Sequence, residues 1–390
     1  MADPAFNAEA HVRSLARVHE DGAQYAVCPE LGLSAYSCGD LFFQEPLLRG
    51  VLDALAHLAR ATAAWDLVVS VGAPLLLDGS LYNCAVTLHG GRPVAVAPKA
   101  YLPGYREFYE PRWFQPAATA RSDTIELLGR QVPFGTDVLV VLPHLDGFAL
   151  HTEVCEDLWT PVPPSALAAL SGATVLANLS ASNVTVGKWE YRRDLVRMSA
   201  AKNLAVQLYS AAGFGESSAD LAWDGHGLVA DRGELVAETE RFALAGSTAV
   251  ADVDLAALTA DRMRQNSFGQ NAAAHARPVR RVTLEPVPDS RDGAAYHTLT
   301  TTSGGTNNGA WHHLVGQYTG SGLEIYVDGA LALQAAASGT IAYTLGPSFF
   351  IGQHGNGNTT HNFNGAIDQV RVYGRALSAA EISQLAAEGQ

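Results

Sequence analysis

Lysine is nearly absent from this chain. Its 390 residues contain Lys99, Lys188 and Lys202 and no other lysine, against 22 arginines. Charged side chains as a whole are scarce, 16% of the chain where an average protein carries roughly 25%. Their balance is acidic, −14 in total, with 22 basic and 31 acidic side chains in residues 1–282 and 3 and 8 in residues 283–390. Neither part has the basic patch that nucleic-acid binding needs, so no nucleic-acid partner is expected. No apolar run approaches the ~18 residues of a membrane helix, and the N-terminal MADPAFNAEAHV lacks a basic segment followed by an apolar one. It therefore does not read as a signal peptide; no membrane partner and a cytoplasmic location are the expectations. Cysteine is limited to Cys28, Cys38, Cys84 and Cys155, with no C-x-x-C pair. That spacing gives no metal or redox motif, and reduced thiols leave room for a nucleophile.

What the chain does have is patterned apolar sequence, 48% of it hydrophobic. At ~100–200 residues per domain, two or three domains are expected. Short β-branched runs recur up to about residue 255: QYAVCPE, DLVVSVGAP, NCAVTLHG, PVAVAPK, FALHTEVCED, ATVLANLS and AVQLYSAAG. Between some of them lie segments with apolar residues three and four apart, AFNAEAHVRSLARVHE, EPLLRGVLDALAHLARA and GKWEYRRDLVRMSAAKNLA. Strands interleaved with helices predict an α/β domain over 1–282. EPVPDSRDG then reads as a linker at 283–293. Beyond it come short strands, HHLVGQY, LEIYVDG, SFFIGQ and AIDQVRVYG, broken by Gly/Asn clusters, with helical spacing only in the last dozen residues. This is the pattern of an all-β domain at 294–390.

Three strand ends in the first part bear reactive groups: Glu30 closes VCPE, Lys99 closes VAPK and Cys155 follows TEV. A strand end fixes the backbone while the loop leaves the side chain reachable. A thiol, a carboxylate and an ammonium together suit acyl transfer: the thiol attacks a carbonyl carbon, the carboxylate takes its proton, and the ammonium stabilises charge on the oxygen. In a chain this poor in lysine, Lys99 suggests a place where the broad guanidinium will not serve. Cys28 and Cys84 lie inside apolar strands and read as small core side chains, and Cys38 as incidental in a loop. Glu156 and Asp157 read equally as solvated loop charges, Tyr105 and Trp159 as packing, and Lys188 as a surface residue at a helix start.

The segments PELGLSAYSCGDLF, PKAYLPGYREFYEPRWF, EVCEDLWTPVPPS, ANLSASNVTVGK and AAGFGESSADLAWDG resemble the nitrilase (carbon–nitrogen hydrolase) superfamily, and within it the glutaminase domains of bacterial glutamine-dependent NAD synthetases. The resemblance covers residues 3–275. It implies a four-layer α-β-β-α sandwich and a Glu–Lys–Cys triad at Glu30, Lys99 and Cys155, with Glu110 as a second glutamate that positions the lysine. It places Tyr36, Tyr105, Glu156, Trp159 and Ser182 around a glutamine pocket. It implies amide hydrolysis of glutamine without metal or organic cofactor, and assembly into a homo-oligomer. The family has an apolar strand before the segment that aligns with residues 3–20, normally central in its sheet, so an unpaired strand edge is expected. An ATP-using synthetase domain would follow in those relatives. Ser303-Gly304-Gly305 is the only trace of its pyrophosphate loop, and Asn307-Asn308 stand where Asp-Ser belong, so it reads as a turn.

WHHLVGQYTGSGLEIYVDGALA and FNGAIDQVRVYGRALSAAEISQL resemble laminin G-like/concanavalin A-like jelly rolls, with Asp328-Gly329 suited to a tight hairpin. The resemblance covers residues 294–390, and early strands of such a domain are missing from it. His297, His312, His313, His354 and His361 are scattered and predict no metal site. Three readings follow: a glutamine-hydrolysing amidase, a glycan- or protein-binding jelly roll with a vestigial hydrolase, and an inactive fragmentary fusion.

Overall fold

The computed structural model describes residues 1–287, 311–336, 370–371 and 375–388. It divides into two units, Met1–Pro288 and Asp289–Gln390. The first unit opens with helix α1 (Pro4–Glu20), started by Asp3, whose carboxylate accepts from Phe6 N–H at 3.0 Å, and by Pro4 in the first turn. Helix α2 (Glu45–Ala61) buries Leu47, Val51, Ala54, Leu55, Leu58 and Ala59, the three-and-four spacing that its sequence shows.

The first sheet has the order β1 (Tyr25–Val27), β2 (Val68–Leu77), β3 (Ser80–His89), β4 (Arg92–Pro98). β1 pairs parallel to β2 and the others are antiparallel. The four strands run on without an interior gap, and β1 stands at the edge. A hairpin of β5 (Thr124–Leu127) and β6 (Arg130–Pro133) lies beside β4. The second sheet has seven strands in the order β12 (Glu234–Glu238), β11 (Gly227–Asp231), β10 (Val206–Ala211), β9 (Val175–Ser180), β8 (Ala149–Val154), β7 (Val138–Val141), β13 (Arg280–Thr283). Its centre, β8–β9–β10, is parallel.

β2 shows how the layers form. Val69, Val71 and Ala73 alternate onto one face and join the apolar faces of α1 and α2, while Val68 points to the other face and packs with Val94, Val140, Leu150 and Val175 of β4, β7, β8 and β9. A strand covered on both faces is apolar throughout, which is why DLVVSVGAP shows no clean alternation. On the second sheet, α3 (Pro164–Leu170) and α4 (Lys188–Asn203) cover Leu139, Leu176, Tyr209 and Leu228. Helices α5 (Leu255–Arg264) and α6 (Asn266–His275) lead to β13, which adds a parallel edge strand beside β7. Leu284 is buried in the core between the sheets, so this unit continues beyond the residue at which the composition changes.

In the second unit, β14 (Leu314–Tyr318), β15 (Gly322–Val327) and β16 (Ala330–Ala336) form an antiparallel meander. Asp328 and Gly329 make its second turn with φ of +53° and +82°, as the Asp-Gly pair implies. Helix α7 (Ala379–Glu388) packs Ile382 with Leu377 and Tyr326. His312 pairs with Asp328 at 2.8 Å. The expected SFFIGQ strand, the AIDQVRVYG segment apart from Val370 and Arg371, the Ser303-Gly304-Gly305 turn and His297, His354 and His361 lie outside the described residues.

Candidate active site

Glu30 lies just past β1, in a turn where Leu31 and Ala35 take left-handed φ of +51° and +79°. Gly72 lets this turn lie against β2: a Cβ there would fall 2.1 Å from Leu31 N and 2.6 Å from Pro29 O. The Glu30 carboxylate is fully buried, and its Oε1 accepts from Lys99 Nζ at 2.7 Å and from Asn83 Nδ2 at 2.6 Å. Lys99 follows β4, and its backbone N–H donates to Asn83 O at 2.8 Å. Its ammonium also donates to Glu110 Oε1 at 2.6 Å, and the same oxygen accepts from Tyr36 OH at 2.8 Å. Burial opposes the Lys99 charge, but the Glu110 and Glu30 carboxylates outweigh it and raise its pKa well above the ordinary lysine value. Burial pushes the Glu110 carboxyl up, Lys99 pulls it back and Glu30 pushes it again, leaving it at about 7.

Cys155 begins a short 3₁₀ turn, Cys155–Trp159, directly after β8. Its φ of +45° is a strained value for a residue with a Cβ, as is common where a nucleophile is presented. Asn178, inside β9, donates to Cys155 O at 3.3 Å and receives Ser180 Oγ at 2.8 Å. Burial pushes the thiol pKa up to about 12, with Glu30 adding to the rise and Lys99 opposing it. A thiol held so high needs a base at its side to become a nucleophile.

Asp157 corrects the reading of it as a solvated charge. It is fully buried, and it accepts from Ala100 N at 3.0 Å, Tyr101 N at 2.9 Å and Val154 N at 3.0 Å. It thus ties the segment after Lys99 to the turn that carries Cys155, which is why this carboxyl is inside. Burial, with the Glu153 charge added, pushes its pKa up to about 8.

The expected pocket residues divide. Tyr36 is buried and spends its hydroxyl on Glu110, and Ser182 is buried with its Oγ accepting from Arg192 Nη2 at 3.4 Å. Arg192 is itself buried and paired with Asp224 at 2.9 Å. Tyr105 is exposed and donates to Glu156 Oε1 at 2.9 Å. Trp159 meets Tyr191 edge-on with centroids 5.3 Å apart. Lys188 does open α4, but it is half-buried rather than a plain surface residue. Its Nζ lies 5.5 Å from the Trp159 ring centroid and 5.7 Å from that of Phe108, and it donates to Asn183 Oδ1. Burial lowers its pKa. Asn183 donates in turn to Glu107 Oε1 at 2.6 Å. Glu107 and Asn183 also line an open cleft of about 470 Å³ with Val184, Thr185, Ser218, Asp220, Leu221 and Ala222. Glu216 accepts from Tyr36 N and Ser37 N at 2.8 and 2.9 Å, fixing the Tyr36 loop.

Asn83, Asn178, Arg192 and Glu216 were not among the residues expected from the sequence. The two asparagines left a signal: each interrupts an apolar strand, and a buried amide in such a strand must have hydrogen-bond partners. Cys28, Cys38 and Cys84 are all buried, and none of the four thiols is in a disulfide. Among the described residues, no group of three His, Cys, Asp or Glu side chains could hold a metal ion.

Residues 1–263 match the model of the carbon-nitrogen hydrolase family. The chain belongs to this family. Residues 288–383 match a second model, of the concanavalin A-like lectin/glucanase superfamily. This carbon-nitrogen hydrolase is 49% identical over 276 residues to the glutamine-dependent NAD(+) synthetase of Mycobacterium tuberculosis, an overlap that covers 70% of this chain and 40% of that protein. The chain thus matches well under half of that relative's length. Its fold is shared with a glutamine-dependent NAD(+) synthetase from Cytophaga hutchinsonii, with a TM-score of 0.56 and 24% identity over 63% of this chain and 39% of that one. It is shared also with a mutant of the Nesterenkonia AN1 amidase from the nitrilase superfamily, with a TM-score of 0.51 and 19% identity over 69% of this chain and 92% of that one. The carbon-nitrogen hydrolase fold is therefore nitrilase-like, and the protein is a hydrolase. No helix among the described residues is long and apolar enough to cross a membrane.

Proposed function

We propose that this protein hydrolyses the side-chain amide of glutamine to glutamate and ammonia, through a thioester on Cys155. The observation that carries the reading is one buried ammonium, Lys99, held between two buried carboxylates at 2.7 and 2.6 Å, its charge opposing the burial that keeps the Cys155 thiol protonated. Glu30 takes the thiol proton as sulfur attacks the γ-carbonyl carbon, and Lys99 faces the oxyanion that forms. Glu30 returns the proton to the departing nitrogen, C–N breaks, and ammonia leaves. The same carboxylate then activates the water that cleaves the thioester. Glu110, steadied by Tyr36, keeps Lys99 aimed.

Glutamine suits the surroundings. Glu156, beside Tyr105, offers an acceptor for an α-ammonium, and Lys188, between Phe108 and Trp159, offers a charge for an α-carboxylate. The relatives named for glutamine-dependent NAD synthesis support the choice of substrate. The proposal extends to an α-β-β-α layering of the first unit, a jelly roll over 294–390, a homo-oligomer and a cytoplasmic location. The amidase step is assigned to the first unit alone, and NAD synthesis is not assigned to this chain.

The test is glutamate release from glutamine, with mass spectrometry for an adduct on Cys155. Cys155→Ala should abolish turnover and leave the melting curve native. Lys99→Arg should lose about 10²–10³-fold despite keeping the charge, because the planar fork cannot occupy the site of a compact ammonium. Activity in Cys155→Ala, or an adduct on Cys28, Cys38 or Cys84 instead, would remove the basis of the assignment.

A further inference from the structure

The two oxygens of Glu30 are not equivalent. Oε1 receives two donors, Lys99 Nζ at 2.7 Å and Asn83 Nδ2 at 2.6 Å. Oε2 is equally buried and has no hydrogen-bond partner among the described residues. The last torsion of a glutamate side chain is broad and nearly two-fold, so a single donor would leave the oxygens free to exchange. Two donors on one oxygen hold the plane. Asn83 is placed for this by register. Tyr82 and Cys84, its neighbours in β3, pack into the core shared with α1 and α2, and Ala85, two residues on, packs with Cys155. Asn83 therefore shares the face that looks toward the nucleophile. Its backbone oxygen also takes the N–H of Lys99 at 2.8 Å, so one residue ties down both the base and the cation.

We infer that Asn83 is a positioning residue for the general base: with Lys99 it pins Glu30 Oε1, leaving Oε2 as the oxygen that takes the Cys155 proton. This rests on the amidase reading above. In the step itself the S–H bond breaks and an O–H bond forms at Oε2. The sulfur pair closes on the amide carbon, and the carbonyl π pair moves to the oxygen facing Lys99. The proton on Oε2 then passes to the nitrogen as C–N breaks. Oε1 keeps its two donors throughout, so the base changes charge without turning.

Alkylation of Cys155 by iodoacetamide, followed by mass spectrometry on the full chain, reads base assistance without requiring that glutamine be the substrate. Asn83→Leu keeps the volume and removes the donor. It should slow alkylation of Cys155 about 10–100-fold, the size expected for a lost hydrogen bond to a charged group. Glu30→Gln should slow it at least as much, and the double variant should show no further loss, because Asn83 acts only through the base. With glutamine, Asn83→Leu should lower kcat by a similar factor and leave KM within about threefold, since Asn83 does not touch the substrate. Wild-type alkylation in a natively melting Asn83→Leu protein, or strictly additive losses, would overturn the inference and leave Glu30 as base. A wild-type rate in Glu30→Gln would overturn both. If Asn83→Leu does not fold, Asn83→Asp keeps the shape and replaces a donor with an acceptor. A slowed rate there supports the inference, and an unchanged rate overturns it.

Discussion

At Glu110 burial and charge compete, and the outcome is a group that titrates where enzymes work. Its carboxyl stands at about 7, so Glu110 is an anionic partner of the Lys99 ammonium above that pH and a neutral one below it. The sign follows: kcat/KM for glutamine hydrolysis should rise with pH through about 7 as Glu110 ionises. Glu110→Gln should lower activity and remove that rise, which kcat/KM profiles of the two proteins between pH 5.5 and 8.5 would show. Cys155 cannot supply the rise. Its thiol, pushed up to about 12, remains protonated across that range in the free protein. A profile in Glu110→Gln that still climbs through 7 would place the titrating group elsewhere.

Among the elements, the contact of β2 with the turn after β1 is the most exacting. Gly72 is buried in a strand, where glycine costs backbone entropy and buries no side chain. It is needed because backbone atoms of Leu31 and Pro29 lie where a Cβ would be, at 2.1 and 2.6 Å. Gly72→Ala must therefore displace the turn that carries Glu30. A destabilisation of about 1–3 kcal/mol is expected from overpacking. The loss of turnover should be larger, about 10²-fold, because the base moves relative to the thiol. Urea melts and glutamate release on the same protein separate the two effects. Native turnover in a destabilised variant would show that the turn moves without moving Glu30.

For the whole molecule, every side chain assigned to the chemistry lies between Glu30 and Lys188, within the unit Met1–Pro288. A chain ending at Pro288 should keep the glutaminase activity of the full chain to within about twofold, measured as kcat/KM. The cut belongs after Pro288 rather than at Val282. β13 pairs with β7 through Thr283, Leu284 is buried between the sheets, and Val287 N–H donates to Asp66 at 3.1 Å. A chain cut at Val282 should therefore be less stable than one cut at Pro288, which thermal melts would show. Folded but inactive protein ending at Pro288 would mean that the second unit takes part in the reaction.

The strands that lead to the proposed triad were legible in the sequence. Glu30, Lys99 and Cys155 each stand at or just beyond the end of an apolar run, and period and composition are local properties that a strand cannot hide. Also legible were α1 and α2, whose apolar spacing is long and regular, and α4, whose buried positions Val196 and Ala200 keep helical spacing although Arg192 and Asn203 share that face. Weakly patterned elements were not: β12 and β13 are short and half-exposed, and α3 is too short for a period to show. Which polar groups lie inside follows from long-range contacts. Asp157 and Glu156 are adjacent and look alike in sequence, yet one is buried under three backbone donors and the other bonds an exposed tyrosine. Their difference arises from the segment after β4, whose Ala100 and Tyr101 N–H groups meet Asp157 across more than fifty residues of chain. Asn83 likewise gains its meaning from Glu30, fifty-three residues away. Burial of a polar side chain is set by which distant donors fold over it, and no local pattern encodes that.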